Sequence, residues 1–315
     1  MKTPLQVDSN SLKRKEYYFD NPLCNYKKIE KLTHKKFGII EPISPGCPGN
    51  CFFCFAGRNN RKSFFINNPK VYANARNRIL INETTEATIP GYESQMGKFY
   101  SNLPQKNNIL NLVSRFPVSL IKTLKYSNLE EFEMVILQIS YTGLKGKNKE
   151  KWEPYVESPK QKLNAIRNLI KWGYNVSVRF EPLIPTYHNS KRIMSILNDL
   201  RSVGVKHITI GTLKLNAQLK KKLKLKDKVL LNLFEDDLFY GEYYLKAQIR
   251  EKIISDILTF SKGLHISFCL EGYCKNCPKS INLTCNSFCE GFSPKLISKI
   301  RGEKNETNYG KTRRK

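Results

Sequence analysis

Short apolar runs alternate with longer stretches of helical periodicity through most of this chain. The clearest run is EMVILQISYT (133–142), which is almost wholly apolar up to Gln138, as a strand covered on both faces has to be. FGIIEPI (37–43), KVYANA (70–75), ILNLVS (109–114), NVSVRFEPLI (175–184), HITIGTL (207–213) and LHISFCL (264–270) read as further strands. The best-marked helix is SPKQKLNAIRNLIKWG (158–173). Leu163, Ile166, Leu169 and Ile170 recur there at helical spacing, Ser158 suits the N-cap, Pro159 the first helical position and Gly173 the stop. Pro117 to Tyr126, NSKRIMSILNDLRSVG (189–204) and a stretch around 243–262 read as helices as well. Strand, helix, strand, with turns of a few residues, predicts an α/β fold with a parallel sheet and helical crossovers in about six to eight units. A parallel (β/α) barrel or partial barrel fits better than a doubly wound sheet, though the pattern alone does not choose between them.

Composition narrows the setting. The chain has 315 residues, 40% of them hydrophobic, which suffices for one large domain or two ordinary ones. No apolar run reaches the ~18 residues of a membrane span. The start, MKTPLQVDSNSLKRKEYYFDN, lacks the apolar stretch of a secretory signal, so a cytoplasmic protein is expected. Residues 1–36 read as a basic arm, 37–268 as the barrel, 269–292 as a Cys-rich metal-binding extension and 293–315 as a basic, disordered tail. The net charge of +27 favours polyanions, with nucleic acid first and an anionic membrane surface second. An excess of Lys over Arg, with abundant Asn and Ile, is also what compositional bias alone would give.

In a reducing compartment nine cysteines read as metal ligands or redox groups rather than disulfides. Three of them, Cys47, Cys51 and Cys54, stand in SPGCPGNCFFCF (44–55), spaced by three residues and then two. Three thiolates are one short of a closed structural zinc site, whereas a cubane iron–sulfur cluster takes one cysteine per iron. The triplet therefore suggests a four-iron cluster with one iron open to another ligand; the rival is a zinc-knotted loop on an unrelated fold. Pro48, Gly49 and Asn50 allow a tight loop, and Phe52 and Phe53 would shield the metal. A second group, Cys274, Cys277, Cys285 and Cys289, can close a zinc site or hold a second iron–sulfur cluster. Cys269 ends the last strand as a ligand substitute, a catalytic hydrogen-atom donor or an apolar filler, and Cys24 stands alone. At the polar strand ends, where such folds carry chemistry, stand Ser114 and Arg115, Gln138 and Ser140, Arg179 and Glu181, and Thr212. Arg179 with Glu181 also suits a structural ion pair, and His188 and His207 read as ordinary loop or capping residues.

The spacing Cys47, Cys51, Cys54 with an aromatic, Phe53, before the last cysteine resembles the motif of the radical S-adenosylmethionine (SAM) superfamily. ISYTGL (139–144) and ESPKQKLNAIRNLIKWGYNVSVRFEPLIPTYHNS (157–190) are similar to its spore-photoproduct-lyase-like branch, and the matching blocks span about 37–215. The resemblance implies a [4Fe-4S] cluster on the three cysteines, SAM on its open iron, and an electron from a reductant such as ferredoxin or flavodoxin. Reductive cleavage of SAM to a 5′-deoxyadenosyl radical follows in that family. Phe53, Ser114, Ser140, Arg179 and Glu181 become the candidate cofactor contacts, with Ser140 and Arg179 on the ribose and carboxylate of SAM. ATIPGYESQMGKFYSN (87–102) departs from the branch's Thr-Asp-Pro-Tyr turn and leaves the contact to the SAM amine unassigned. The expected substrate is a nucleic acid, through a lyase or base-modifying reaction. The alternatives are a peptide maturase with an auxiliary cluster and a non-catalytic zinc protein that binds nucleic acid.

Overall fold

The computed structural model describes residues 26–44, 47–54, 65–82, 85–238, 241–269 and 298–301. Cys24, Cys274, Cys277, Cys285, Cys289 and nearly all of the expected tail lie outside the described residues. In chain order the elements are α1 (Tyr26–Thr33), β1 (Lys36–Ile39), β2 (Ile43–Ser44), β3 (Phe65–Ile66), β4 (Arg78–Ile81), α2 (Glu93–Ser101), β5 (Ile109–Ser114) and α3 (Pro117–Lys125). They continue with β6 (Met134–Ser140), α4 (Gly146–Trp152), α5 (Pro159–Lys171), β7 (Asn175–Leu183), α6 (Ser190–Ser202) and β8 (His207–Thr212). α7 (Ala217–Lys226), α8 (Lys228–Leu231), α9 (Ala247–Phe260) and β9 (His265–Phe268) complete them.

Seven strands form one sheet in the order β1-β4-β5-β6-β7-β8-β9, every pair parallel. The order never reverses, so the sheet lacks the switch point of a doubly wound fold and curls into a half-barrel. This is the partial barrel that the alternating pattern favours. α5 shows how closely local signals set an element. Ser158 Oγ accepts from the Gln161 N–H at 3.3 Å while the Gln161 side chain accepts from the Ser158 N–H at 2.9 Å, a reciprocal cap. After the helix, Gly173 takes φ +85°, a left-handed conformation that costs an ordinary residue more.

Two expectations fail near the start of the sheet. KVYANA is a 3₁₀ turn, Pro69–Tyr72, not a strand. Asn68 caps it by accepting from the Lys70 N–H, Pro69 presets its first dihedral, and Val71 is left 72% exposed. The second strand of the large sheet is instead RILI, Arg78–Ile81, a short run between β1 and β5. The strand expected over 37–43 is split into β1 and β2 around Pro42, which has no N–H for a ladder. The expected arm also ends in a packed element, because Ile29 of α1 is fully buried.

Side-chain alternation divides the sheet into two faces. Leu80, Leu112, Leu137, Ile139, Val178, Phe180, Ile208 and Ile210 meet Ile166, Leu169, Ile193 and Leu197 of the crossover helices in the main core. On the other face Phe37, Ile79, Ile81, Ile109, Met134 and Ile136 join Ile29 in a smaller apolar layer. Towards the carboxyl ends of β5 and β6, and on β7 and β8, that inner face is polar: Asn111, Gln138, Ser140, Ser177 and Thr209 are all buried. Among the described residues no helix is long and apolar enough to cross a membrane.

Candidate active site

The cysteine loop leaves the carboxyl end of β1 by way of β2, where parallel barrels place their chemistry. Cys47, Cys51 and Cys54 are half-buried thiols. The Gly49 N–H donates to Cys47 Sγ at 3.4 Å, and a Cβ on Gly49 would stand 3.5 Å from both Cys47 Sγ and Cys51 Sγ. The Gly49 backbone thus sits between two of the sulfurs, with Val156 close by. Asn50 turns the loop with φ 44°, a conformation Asn tolerates better than most side chains. Among the described residues no three His, Cys, Asp or Glu side chains already stand in ligand array. Burial pushes the Cys51 thiol up to about 12, with Arg115 pulling it back, and burial followed by Glu86 pushes Cys47 higher still. These thiols are therefore neutral until a metal displaces their protons. The soft donor set, the approach of two sulfurs to Gly49 and the cations behind the loop fit a thiolate-bound iron–sulfur cluster.

The end of α4 holds the loop from behind. The Phe52 N–H donates to the Trp152 carbonyl at 2.9 Å, the Phe52 ring meets Trp152 edge-on at 5.1 Å, and Phe53 stacks on it at 6.2 Å. The Arg115 guanidinium lies 4.9 Å above the Phe53 ring and its Nη1 pairs with Glu153 Oε1 at 2.9 Å. The Thr142 hydroxyl donates to the other Glu153 oxygen, Oε2. Lys162, buried on α5, donates through Nζ to the Ser140 carbonyl at 3.0 Å. Burial raises the Glu153 carboxyl, but Lys162 and Arg115 outweigh it and hold the group below its ordinary value. Burial lowers Lys162, with Glu153 restoring part of the loss. Glu86 accepts from the Arg115 N–H at 3.1 and 3.2 Å, and burial pushes its carboxyl up to about 7.

A second set of charges lies across the ends of β7 and β8. Arg179 Nη2 pairs with Glu181 Oε2 at 2.8 Å and also donates to Cys269 Sγ at 3.4 Å. Its Nη1 reaches Gln138 Oε1 at 3.5 Å, and Gln138 donates to Asn111 Oδ1 at 2.9 Å. Lys214 Nζ stands 3.9 Å from Glu181 Oε1 and donates to the Cys269 carbonyl at 3.2 Å. Burial raises Glu181, but Arg179 and Lys214 outweigh it and keep it ionised. A Cβ at Gly211 would overlap the Glu181 carboxylate, so β8 needs glycine there to admit the charge.

Sequence reasoning thus finds residues that the fold brings together: Gln138, Arg179, Glu181 and Cys269 form one hydrogen-bonded group, and Ser140 pairs in register with Arg179. Ser114 stands apart, its hydroxyl accepting from the Phe116 N–H at 2.9 Å and bonding Glu86. His188 is structural. Its Nδ1 accepts from the Ile184 N–H at 2.7 Å, so Nε2 carries the hydrogen and donates to the Thr142 carbonyl at 2.8 Å. Burial lowers that imidazole to about 4. His207 meets Ser267 Oγ at 2.7 Å. Glu86, Glu153, Lys162 and Lys214 escape the sequence reading. Only Lys162 leaves a signal, a lysine on the apolar stripe with Ala165, Ile166 and Leu169.

No protein-family model matches the chain, and no curated protein matches it by sequence. Solved structures do. A cysteine-to-alanine mutant of spore photoproduct lyase superposes with TM-score 0.55 at 12% identity, covering 79% of this chain and 86% of that one. The fold is that of spore photoproduct lyase. A double mutant of that lyase with bound AdoMet and dinucleoside spore photoproduct gives TM-score 0.51 at 11% identity, over 84% of this chain and 86% of that one. Streptococcus suis SuiB bound to precursor peptide SuiA gives 0.47 at 13% identity, over 85% of this chain and 56% of that one. The half-barrel that the cysteine motif implies is therefore present, with the spore-photoproduct-lyase architecture beneath it.

Proposed function

We propose that this chain is a radical SAM enzyme acting on a nucleic acid. The observation that carries the reading is the position of the cysteine loop. A Cys-x3-Cys-x2-Cys triplet stands at the carboxyl edge of a half-barrel shared with a lyase whose solved structure holds AdoMet. Cys47, Cys51 and Cys54 would hold a [4Fe-4S] cluster, which when reduced supplies the electron that cleaves SAM to a 5′-deoxyadenosyl radical. This chain's own residues bind and orient. Arg179 offers a planar fork suited to the SAM carboxylate, and Ser140, its neighbour in register, suits a ribose hydroxyl. Glu181 aims the fork. Cys269, which accepts a hydrogen bond from Arg179, would give its sulfur-bound hydrogen atom to a product radical and be left as a thiyl radical. Phe53 shields the loop, and Ser114 acts through Glu86.

Nucleic acid is supported by the +27 charge and by the dinucleoside photoproduct in the matching lyase structure. A reductant of the ferredoxin or flavodoxin class supplies the electron, in a cytoplasm reducing enough to keep thiols reduced, as the four described cysteines are. Cys274, Cys277, Cys285 and Cys289 favour a second reading, peptide maturation with an auxiliary iron–sulfur cluster, or alternatively a zinc site. The test is anaerobic reconstitution with iron and sulfide, then dithionite and SAM, assayed for 5′-deoxyadenosine. Its formation is expected. Zinc without iron or sulfide in the anaerobically purified protein, and no 5′-deoxyadenosine, would leave a non-catalytic nucleic-acid-binding protein. Binding to RNA or DNA that weakens steeply with salt separates the nucleic-acid reading from the peptide one.

A further inference from the structure

We infer that Arg115, clamped between the Glu153 carboxylate and the Phe53 ring, is a positioning residue whose charge sets the reduction potential of the metal centre on Cys47, Cys51 and Cys54. The inference rests on the cluster reading above and adds a role that the cysteines do not carry. Arg115 is the first residue after β5, so the sheet delivers it to the carboxyl edge beside the loop. Three contacts fix its side chain and backbone: Nη1 on Glu153 at 2.9 Å, the guanidinium face on Phe53 at 4.9 Å, and the backbone N–H on Glu86. Phe53 lies between two of the three cysteines in the chain, so a cation stacked on it is held against the loop itself.

Arg115 and Lys162 stand beside Glu153, which is 4% exposed with both oxygens engaged, and beside Glu86, whose carboxyl burial pushes up to about 7. Thiolate ligation brings further negative charge to the loop against which the Arg115 guanidinium is held. The potential of an iron–sulfur centre depends on the net charge around it, because reduction adds a negative charge that a nearby cation stabilises. Removing Arg115 should therefore make the centre harder to reduce, and removing Glu153 should make it easier. A residue that merely pinned the loop would have no reason to produce shifts of opposite sign.

The test is a dye-mediated, spectroscopically monitored redox titration of reconstituted wild type, Arg115→Gln, Arg115→Lys and Glu153→Gln, with iron and sulfide counted in each. Arg115→Gln should shift the one-electron equilibrium at least tenfold toward the oxidised form, which is 59 mV more negative. Glu153→Gln should shift it positive, and Arg115→Lys, which keeps the charge but loses the fork, should stay near wild type. Arg115→Gln with full iron content and an unshifted potential would overturn the inference, as would shifts of the same sign in both neutralising variants. Should Arg115→Gln fail to assemble a centre, Glu153→Gln against Arg115→Lys decides alone: a positive shift in the first beside a small one in the second supports the inference, and any other pair overturns it. A wild type that takes up no iron and sulfide instead removes the cluster reading itself, and the inference with it.

Discussion

Two clusters of one composition, an arginine, a lysine and a glutamate, stand on the same edge of the sheet and differ in how they are closed. In Arg115–Glu153–Lys162 the carboxylate is 4% exposed and every oxygen has a donor. In Arg179–Glu181–Lys214 the carboxylate is 24% exposed, and the lysine stands off at 3.9 Å. A carboxylate from which water has been removed is expensive to strip of its partners, whereas one that keeps some water can exchange a partner cheaply. The first set is thus built to stay as it is behind the cysteine loop. The second can trade one carboxylate for another, which is what a site for a small zwitterion requires.

The sharpest cut at this contrast is on the loop. Cys51→Ala should abolish 5′-deoxyadenosine formation and most iron uptake, as an anaerobic assay with metal analysis would show, while the Arg179 set keeps its SAM affinity in part. Next in size is the closed set. Lys162→Met removes a buried cation from beside Glu153 and strands the Ser140 carbonyl, and should cost about 2–3 kcal/mol in urea unfolding; a cost below about 1 kcal/mol would mean that this set is not closed. A smaller effect is expected from His188, which donates to the Thr142 carbonyl beside the closed set. Its folded value, about 4, lies below the ordinary 6.5, so the unfolded chain binds its proton first as pH falls. Stability is complete above the ordinary value and is lost progressively toward the folded one, by about 2 kcal/mol between pH 7 and 5. His188→Gln should flatten that part of the urea-midpoint profile. Smallest is the open set: Gly211→Ala displaces Glu181 and should weaken SAM binding about tenfold by equilibrium dialysis, about 1.4 kcal/mol, with little change in unfolding. Loss of fold rather than of affinity would show that Glu181 is as locked as Glu153.

Periodicity carried most of the architecture into the sequence. β5 coincides with ILNLVS, and α5 has the cap and stop its sequence names. What periodicity misses is short or polar. RILI is only four residues long, and KVYANA just before it offers Val71 and Tyr72 as strand formers but follows an Asn-Pro turn. The candidate site divides in the same way. Arg179 and Glu181 announce themselves as charges in an apolar strand. Glu86 and Glu153 come from connecting segments, and only the curl of the sheet brings them to Arg115.

Among the described residues β1 and β9 each pair on one side only, so the sheet has two margins that do not meet. A cylinder sealed all round admits what fits through its rim. For the nucleic-acid substrate proposed above, a seam left unpaired between β1 and β9 would be a lateral way in, with no free end to thread.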